Sequence, residues 1–307
     1  MFVSKDIEYV NRLRICVANS EEYALGRRIL LFKQLLMRGR IFSLVKIIFR
    51  HIRIAKLTQK TNEYGLIKKQ KNAWKNKRIV VYTCIAGDYD NIMEPLPGIK
   101  DVDYVLFTDK SVDTENDSKW KVKYLNGFNM NDYSNSKKNR YIKFHPHELF
   151  KKEYDYAIYV DGNIQVISDI REFIDCIDSE IGIAMHRHRA RNDIYDEYRV
   201  CRMIKKGDVK KMRKQVKKYK SDGFPKQYGM VEANVMVIDL HSDVSKRLLD
   251  TWWRDFCEND SGRDQIAFPY ILWKNNIPVG NVATLGSDVY ANSKLVIGRH
   301  IDKDRML

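Results

Sequence analysis

The stretch Tyr156-Ala157-Ile158-Tyr159-Val160-Asp161-Gly162-Asn163 decides how the rest of the chain is read. Five apolar or aromatic residues in succession suit a strand covered on both faces, as a parallel sheet requires. The run stops at Asp-Gly-Asn, all three of them turn formers. A buried strand thus delivers the Asp161 carboxylate to the rim of a sheet. Gly162 allows close backbone approach to a ligand, and Asn163 supplies a second side-chain oxygen. Oxygen donors at i and i+2 suit a hard cation such as Mg²⁺ or Mn²⁺, which keeps phosphate oxygens in its shell. The tripeptide by itself reads equally well as a tight turn.

Outward from this strand the same pattern recurs. Ile79–Cys84 (IVVYTC), Asp103–Thr108 (DYVLFT), Ile181–Met185 and Val235–Leu240 (VMVIDL) read as further strands. Between them lie helical stretches. The clearest sets Val244, Leu248, Leu249, Trp252, Trp253 and Phe256 on one face. Alternating strands and helices predict an α/β domain with a mostly parallel sheet and flanking helices. Ligands of such sheets bind where strands end in loops, so the residues to inspect follow each strand.

A strand that ends in D-x-D, or a variant of it, resembles the metal and nucleotide-diphosphate site of GT-A glycosyltransferases. Arg140 on a probable helix, the strand Glu232–Ile238 with its Asn234, and Arg263-Asp264-Gln265-Ile266 fall in the order of the glycogenin-like and lipopolysaccharide galactosyltransferase-like members. The string I-A-G-x-Y-D (85–90), F-T-D (107–109), K-x-x-P-H (143–147), V-D-G-N-I (160–164) and R-D-Q (263–265) is similar to a glycosyltransferase-like family of plant Golgi proteins and bacterial surface-polysaccharide gene sets. The resemblance covers roughly residues 79–300.

It implies a GT-A (Rossmann-like) fold and transfer of a sugar from a nucleoside-diphosphate sugar, a UDP-sugar first, to a cell-surface glycan or lipid-linked glycan. Mn²⁺ or Mg²⁺ is the implied cofactor. By this resemblance the loop Thr83, Ile85, Ala86, Gly87 and Tyr89 holds the nucleotide, and Asp109 accepts from base or ribose unless it caps a helix. Asn234 faces the donor. Arg140 and Lys143, one helical turn apart, meet the diphosphate. Asp161 and Gly162 line it, and Asp161, Asn163 and His300 hold the metal. Asp264 and Gln265 are the catalytic candidates. The D-Q segment leans to retention; if the enzyme inverts, Asp264 is the expected base. Ser261-x-x-Asp264 also reads as a helix capping box. Two departures from the pattern stand out: the second metal position is Asn163 instead of Asp, and the C-terminal H-x-x-G-x-x-K-P-W of the glycogenin-like group is absent.

The net charge of +15 is local. Residues 23–78 hold sixteen basic side chains and one acidic one, whereas residues 79–307 hold 36 basic and 35 acidic. A near-neutral body lacks the basic face of a nucleic-acid enzyme, so no nucleic-acid partner is expected. Residues 1–78 read as a basic amphipathic helical segment and linker, and 79–307 as the glycosyltransferase domain. Within the first, residues 27–57 mix Leu, Ile and Phe with Arg and Lys, and their longest uncharged run is Ile41–Val45. That is far short of the roughly 18 residues needed to span a bilayer, but it suits the interface of an anionic membrane. Docking on the protein's own body or on a second subunit is the alternative. The expected place is the inner face of the cell membrane, peripheral and cytoplasmic. Five scattered cysteines without a C-x-x-C pair fit a reducing compartment. A nucleotidyltransferase and a catalytically silent glycan-binding protein of the same fold are the rival readings.

Overall fold

The computed structural model describes residues 2–38, 41–58, 65–87, 89–96, 98–99, 101–112 and 118–298. At its centre is a six-stranded sheet. Strand β1 (Ile79–Ile85) runs parallel to β2 (Val102–Thr108) on one side and to β4 (Tyr156–Val160) on the other. Beyond β2 lies β3 (Trp120–Tyr124), also parallel. Beyond β4 lies β7 (Val231–Asp239), antiparallel to it, and β6 (Ile183–Arg187) closes the sheet against β7. The order is β3-β2-β1-β4-β7-β6. Two short strands, β5 (Ile164–Val166) and β8 (Leu295–Ile297), pair antiparallel as a second sheet.

The sheet divides its side chains between two cores, as strand alternation dictates. Val80, Tyr82, Phe107, Tyr159 and Met236 face α4 (Asn135–Phe144), α8 (Asp243–Asn259) and α9 (Ala267–Lys274). Ile79, Val81, Leu106, Ile158 and Val237 face the other way, where 3-10 turns and loops carrying Phe173, Ile174, Leu285 and Val289 cover them. Trp252 on α8 is fully buried between Phe144 and Phe268, with ring centroids at 4.5 and 4.1 Å. A third cluster joins α6 (Ile194–Ile204) and α7 (Val209–Ser221) to α9 through Cys201, Met212, Tyr219 and Tyr270. The short helix α5 (Pro146–Phe150) follows α4; its His147 Nε2 lies 2.9 Å from Ser245 Oγ.

The sheet differs from the expected one in three ways. Strand β3 was not anticipated, because Trp120–Tyr124 alternates with lysines (WKVKY) and so hides as an edge. The β5–β8 pair joins segments far apart in sequence. Strand β7 starts at Val231 and runs against its neighbours, so its first residues, not its last, lie at the rim reached by the end of β4.

The amino-terminal part is helical: α1 (Phe2–Asn19), α2 (Glu21–Met37) and α3 (Ile41–Lys56). Helix α1 is fastened to the body by polar contacts. Buried Asn11 donates through Nδ2 to Ser293 O and Leu295 O at 2.9 and 3.1 Å. Glu8 accepts from Ser168 Oγ at 2.8 Å and Ser293 Oγ at 3.1 Å. The stretch read as a linker is also laid on the body: Lys69 N and Gln70 N donate to Asp175 O, and Trp74 packs under the second core. No helix among the described residues is long and apolar enough to cross a membrane.

Candidate active site

Asp161 stands where the sheet requires a ligand-facing residue. Its N–H donates to Asn234 O at 2.9 Å, which ties the end of β4 to the start of the reversed strand β7. The side chain is 31% exposed, so it is turned out of the core. Helix α4 starts at a Ser134 cap that accepts from Lys137 N, and it aims Arg140 and Lys143 at the same cleft. Lys143 Nζ lies 3.7 Å from Asp161 Oδ1 and 3.4 Å from Asp264 Oδ2, over the Tyr159 ring at 4.8 Å. Arg140 Nε is 2.7 Å from Asp264 Oδ2, an ion pair whose N–H is not directed along a hydrogen bond.

Asp264 is buried, and its carbonyl accepts from Trp252 Nε1 at 2.9 Å. The aromatic stack of the core therefore holds the site in place. Burial alone would raise the Asp264 pKa; Arg140, Lys143 and Arg263 overcome it and hold the carboxyl well below the usual range. Burial pushes the Lys143 pKa down, against the pull of Asp161 and Asp264.

The cleft is walled by these four side chains together with Asn163, Asn234, Gln265, His188, Lys206, Glu232, Arg263, Tyr290 and Ile297. Seven residues singled out from sequence thus meet in one place: Arg140, Lys143, Asp161, Asn163, Asn234, Asp264 and Gln265. Asn163 Nδ2 donates to Gly298 O at 2.9 Å, which leaves its Oδ1 as the donor atom for a cation. Buried Asn234 Oδ1 and Gln265 Oε1 have no hydrogen-bond partner among the described residues. His300 lies outside the described residues.

Several expectations need correction. Thr83, Ile85 and Ala86 are 3%, 5% and 4% exposed, which leaves Gly87 and Tyr89 as the more open of the described loop residues. Tyr89 is 61% exposed. Asp109 neither caps a helix nor stands open: Oδ1 accepts from Gly87 N at 2.8 Å and Oδ2 pairs with Lys138 at 3.2 Å. It latches the loop after β1 to α4. At Gly162, an added Cβ would meet Ile85 Cγ1 at 2.7 Å, so glycine is demanded by core packing instead of by ligand approach. The capping box is not formed either. Ser261 Oγ donates to Gln215 Oε1, while Asp264 begins a 3-10 turn and, among the described backbone N–H groups, accepts only that of the adjacent Gln265.

Sequence reasoning missed Glu232, which is 5% exposed. One oxygen accepts from Arg189 N at 3.3 Å, and Oε2 has no partner among the described residues. Burial pushes its pKa up to about 7. The available signal was a carboxylate at the head of the strand Glu232–Ile238, which reaches the ligand rim only because that strand is reversed. His188 also lines the cleft. Its Nδ1 accepts from Ala190 N and Arg191 N, both at 3.1 Å, and burial lowers its pKa to about 4. The neutral ring therefore carries its proton on Nε2, 3.7 Å from Glu197 Oε2.

A family model described as TOD1/MUCI70, glycosyltransferase-like domain, matches residues 45–291. This chain belongs to that family. The glycosyltransferase-like domain so defined takes in the six-stranded sheet, the whole cleft wall except Ile297, and all of α3 but its first turn. No curated protein matches it. Among solved structures, the apo form of the WbbM bifunctional glycosyltransferase is 14% identical with a TM-score of 0.37, over 66% of this chain and 38% of that one. The chain thus spans well under half of the WbbM chain. The apo form of mouse xyloside xylosyltransferase 1 is 13% identical with a TM-score of 0.34, over 67% and 83%. Both likenesses are too distant to speak of activity.

Proposed function

We propose that this glycosyltransferase-like domain moves a hexosyl unit from a nucleoside-diphosphate sugar, a UDP-sugar first, to a hydroxyl of a cell-surface or lipid-linked glycan. The observation that carries the reading is the convergence of Arg140, Lys143, Asp161 and Asp264 on one polar cleft at the sheet rim. In this transfer the acceptor oxygen forms a bond to the anomeric carbon. The bond from that carbon to the phosphate oxygen breaks, and its electron pair leaves with the nucleoside diphosphate. Four cations of the cleft wall, Arg140, Lys143, Lys206 and Arg263, face the charge that accumulates there. The nucleoside lies outside the cleft, over Gly87 and the exposed Tyr89 ring.

Asp161 and the free oxygen of Asn163 would hold Mg²⁺ or Mn²⁺, with phosphate and water filling the remaining positions; such an ion, when bound, supplies Lewis-acid charge. A carboxylate held between Arg140 and Lys143 is a weak base. Asp264 therefore acts by fixing those two cations and, with Gln265, by lining the sugar, which suits retention. In that route the acceptor proton goes to the departing phosphate. A second reading, inversion, is favoured by Glu232: its unpaired oxygen and raised pKa suit a group that takes the acceptor proton. The anomeric configuration of the product separates the two.

Two rival activities fit less well. A nucleotidyltransferase needs free backbone N–H groups after the first strand, and Gly87 N is taken by Asp109. A silent binder would take up UDP without turning over any donor. The test is a screen of sugar nucleotides, with and without Mn²⁺, comparing the wild type with Asp161→Ala. Loss of donor turnover by about 10²–10³-fold in the variant is expected; equal turnover in both proteins removes the assignment.

A further inference from the structure

Apolar side chains belong in the core, and the body obeys that rule. The amino-terminal helices do not. Of the 23 large apolar side chains standing exposed among the described residues, 17 lie between Tyr9 and Ile52. On α3 the exposed apolar stripe is Phe42, Val45, Ile48, Phe49 and Ile52, with Phe42 at 87%. Ile47 and Ile54, on the opposite side, are the half-buried ones. Lys46, Arg50 and Arg53 run along the edge of the stripe and are exposed as well. Helix α2 also exposes an apolar face, Leu25, Ile29, Phe32 and Leu36, with Lys33 beside it and Arg27 on the opposite side. Among the described residues of these three helices, only those of α1 are hydrogen-bonded to the body, through Glu8 and Asn11.

We propose that α2 and α3 seat this face on an anionic lipid bilayer, with the apolar stripes among the acyl chains and the basic edges at the headgroups. Charge names the occupant. Residues 23–78 carry sixteen basic side chains and one acidic, so a second copy of the same face would meet like charge, whereas an anionic surface neutralises it. The helices are too polar to cross, so they lie in the interface. Helix α1 then connects that surface to the cleft. It holds Leu295 at the start of β8, and Ile297 of the same strand is part of the cleft wall. This inference goes beyond the sugar-transfer reading and does not depend on it.

The test uses the full chain and vesicles of phosphatidylcholine with and without phosphatidylserine, read by co-sedimentation. Binding to the anionic vesicles only, weakened by salt, is expected. The triple variant K46E/R50E/R53E should bind about a hundredfold more weakly, from ~1 kcal/mol per basic contact and 1.4 kcal/mol per tenfold. F42S/F49S should lose binding too, and both variants change solvent-facing positions that the fold does not need. Equal binding to neutral vesicles overturns the role of charge. A wild-type dimer that F42S/F49S splits, with no vesicle binding, shows that a second copy covers the face and overturns the proposal. Donor turnover without vesicles is measured alongside and should be unchanged in both variants. A wild type that binds vesicles but turns over no donor sinks the transfer reading and leaves this one standing.

Discussion

The cleft wall holds two buried carboxylates that burial treats alike and neighbours treat differently. Asp264, 3% exposed, lies between Arg140 and Lys143 and stays charged. Glu232, 5% exposed, has a single backbone N–H, with Asp288 opposing ionisation, and its pKa rises to about 7. Desolvation raises both; the count of adjacent cations decides which remains an anion. Environments that drive two carboxylates apart mark an acid/base division of labour. In this cleft they separate a fixed electrostatic anchor from a group able to exchange a proton near neutrality.

The strongest way to break this contrast is Asp264→Ala. Removing one member of a buried ion pair strips Arg140 of its carboxylate and leaves Lys143 with Asp161 alone, so a stability loss of about 3–5 kcal/mol is expected in urea unfolding. Replacing the pair together, as R140M/D264L, should recover much of that stability but none of the donor turnover. Recovery of both would show that the pair only braces the fold.

Next in size is Glu232→Gln, where the sign depends on pH. A carboxyl whose pKa rises from 4.5 to about 7 on folding binds its proton more tightly in the native state. Its contribution to stability is thus full at low pH, falls as pH climbs between these values, and is level above them. Relative to the wild type the variant should therefore gain about 3 kcal/mol between pH 4 and pH 8, read from unfolding curves. Asp264 has the opposite slope, since its depressed pKa adds stability above the ordinary Asp value that is lost on acidification. If Glu232 takes the acceptor proton, the acidic limb of the pH–rate profile also disappears in the variant. The smallest effect is expected for Asp109→Ala. Losing the Gly87 and Lys138 contacts should cost about 1 kcal/mol and raise the donor KM severalfold with kcat nearly unchanged.

Much of the cleft was legible in the sequence because it is built from strand ends. Asp161 follows an unbroken apolar run, Arg140 and Lys143 share a helical face, and Asp264 stands before an apolar helix. Spacing marks Asp161 as a rim residue, and the resemblance to GT-A glycosyltransferases singles out Arg140, Lys143 and Asp264. Glu232 was hidden by direction: a residue entering a reversed strand reaches the same rim as one leaving a parallel strand, and no local pattern tells the two apart. Asp109 was misread because its partners, Gly87 and Lys138, are fixed only when β1, β2 and α4 come together. The fold class was legible from the alternation of strands and helices, whereas β3 and the β5–β8 pair were not. Their stability comes from neighbours distant along the chain.

Asn11 makes one wall of the cleft answer to helix α1. Its amide grips the backbone at Ser293 and Leu295, and β8 continues from there to Ile297 in the cleft wall. A pull on α1 is therefore a pull on that wall, and force applied to the amino-terminal helices reaches the cleft through the hydrogen bonds of Asn11 and Glu8.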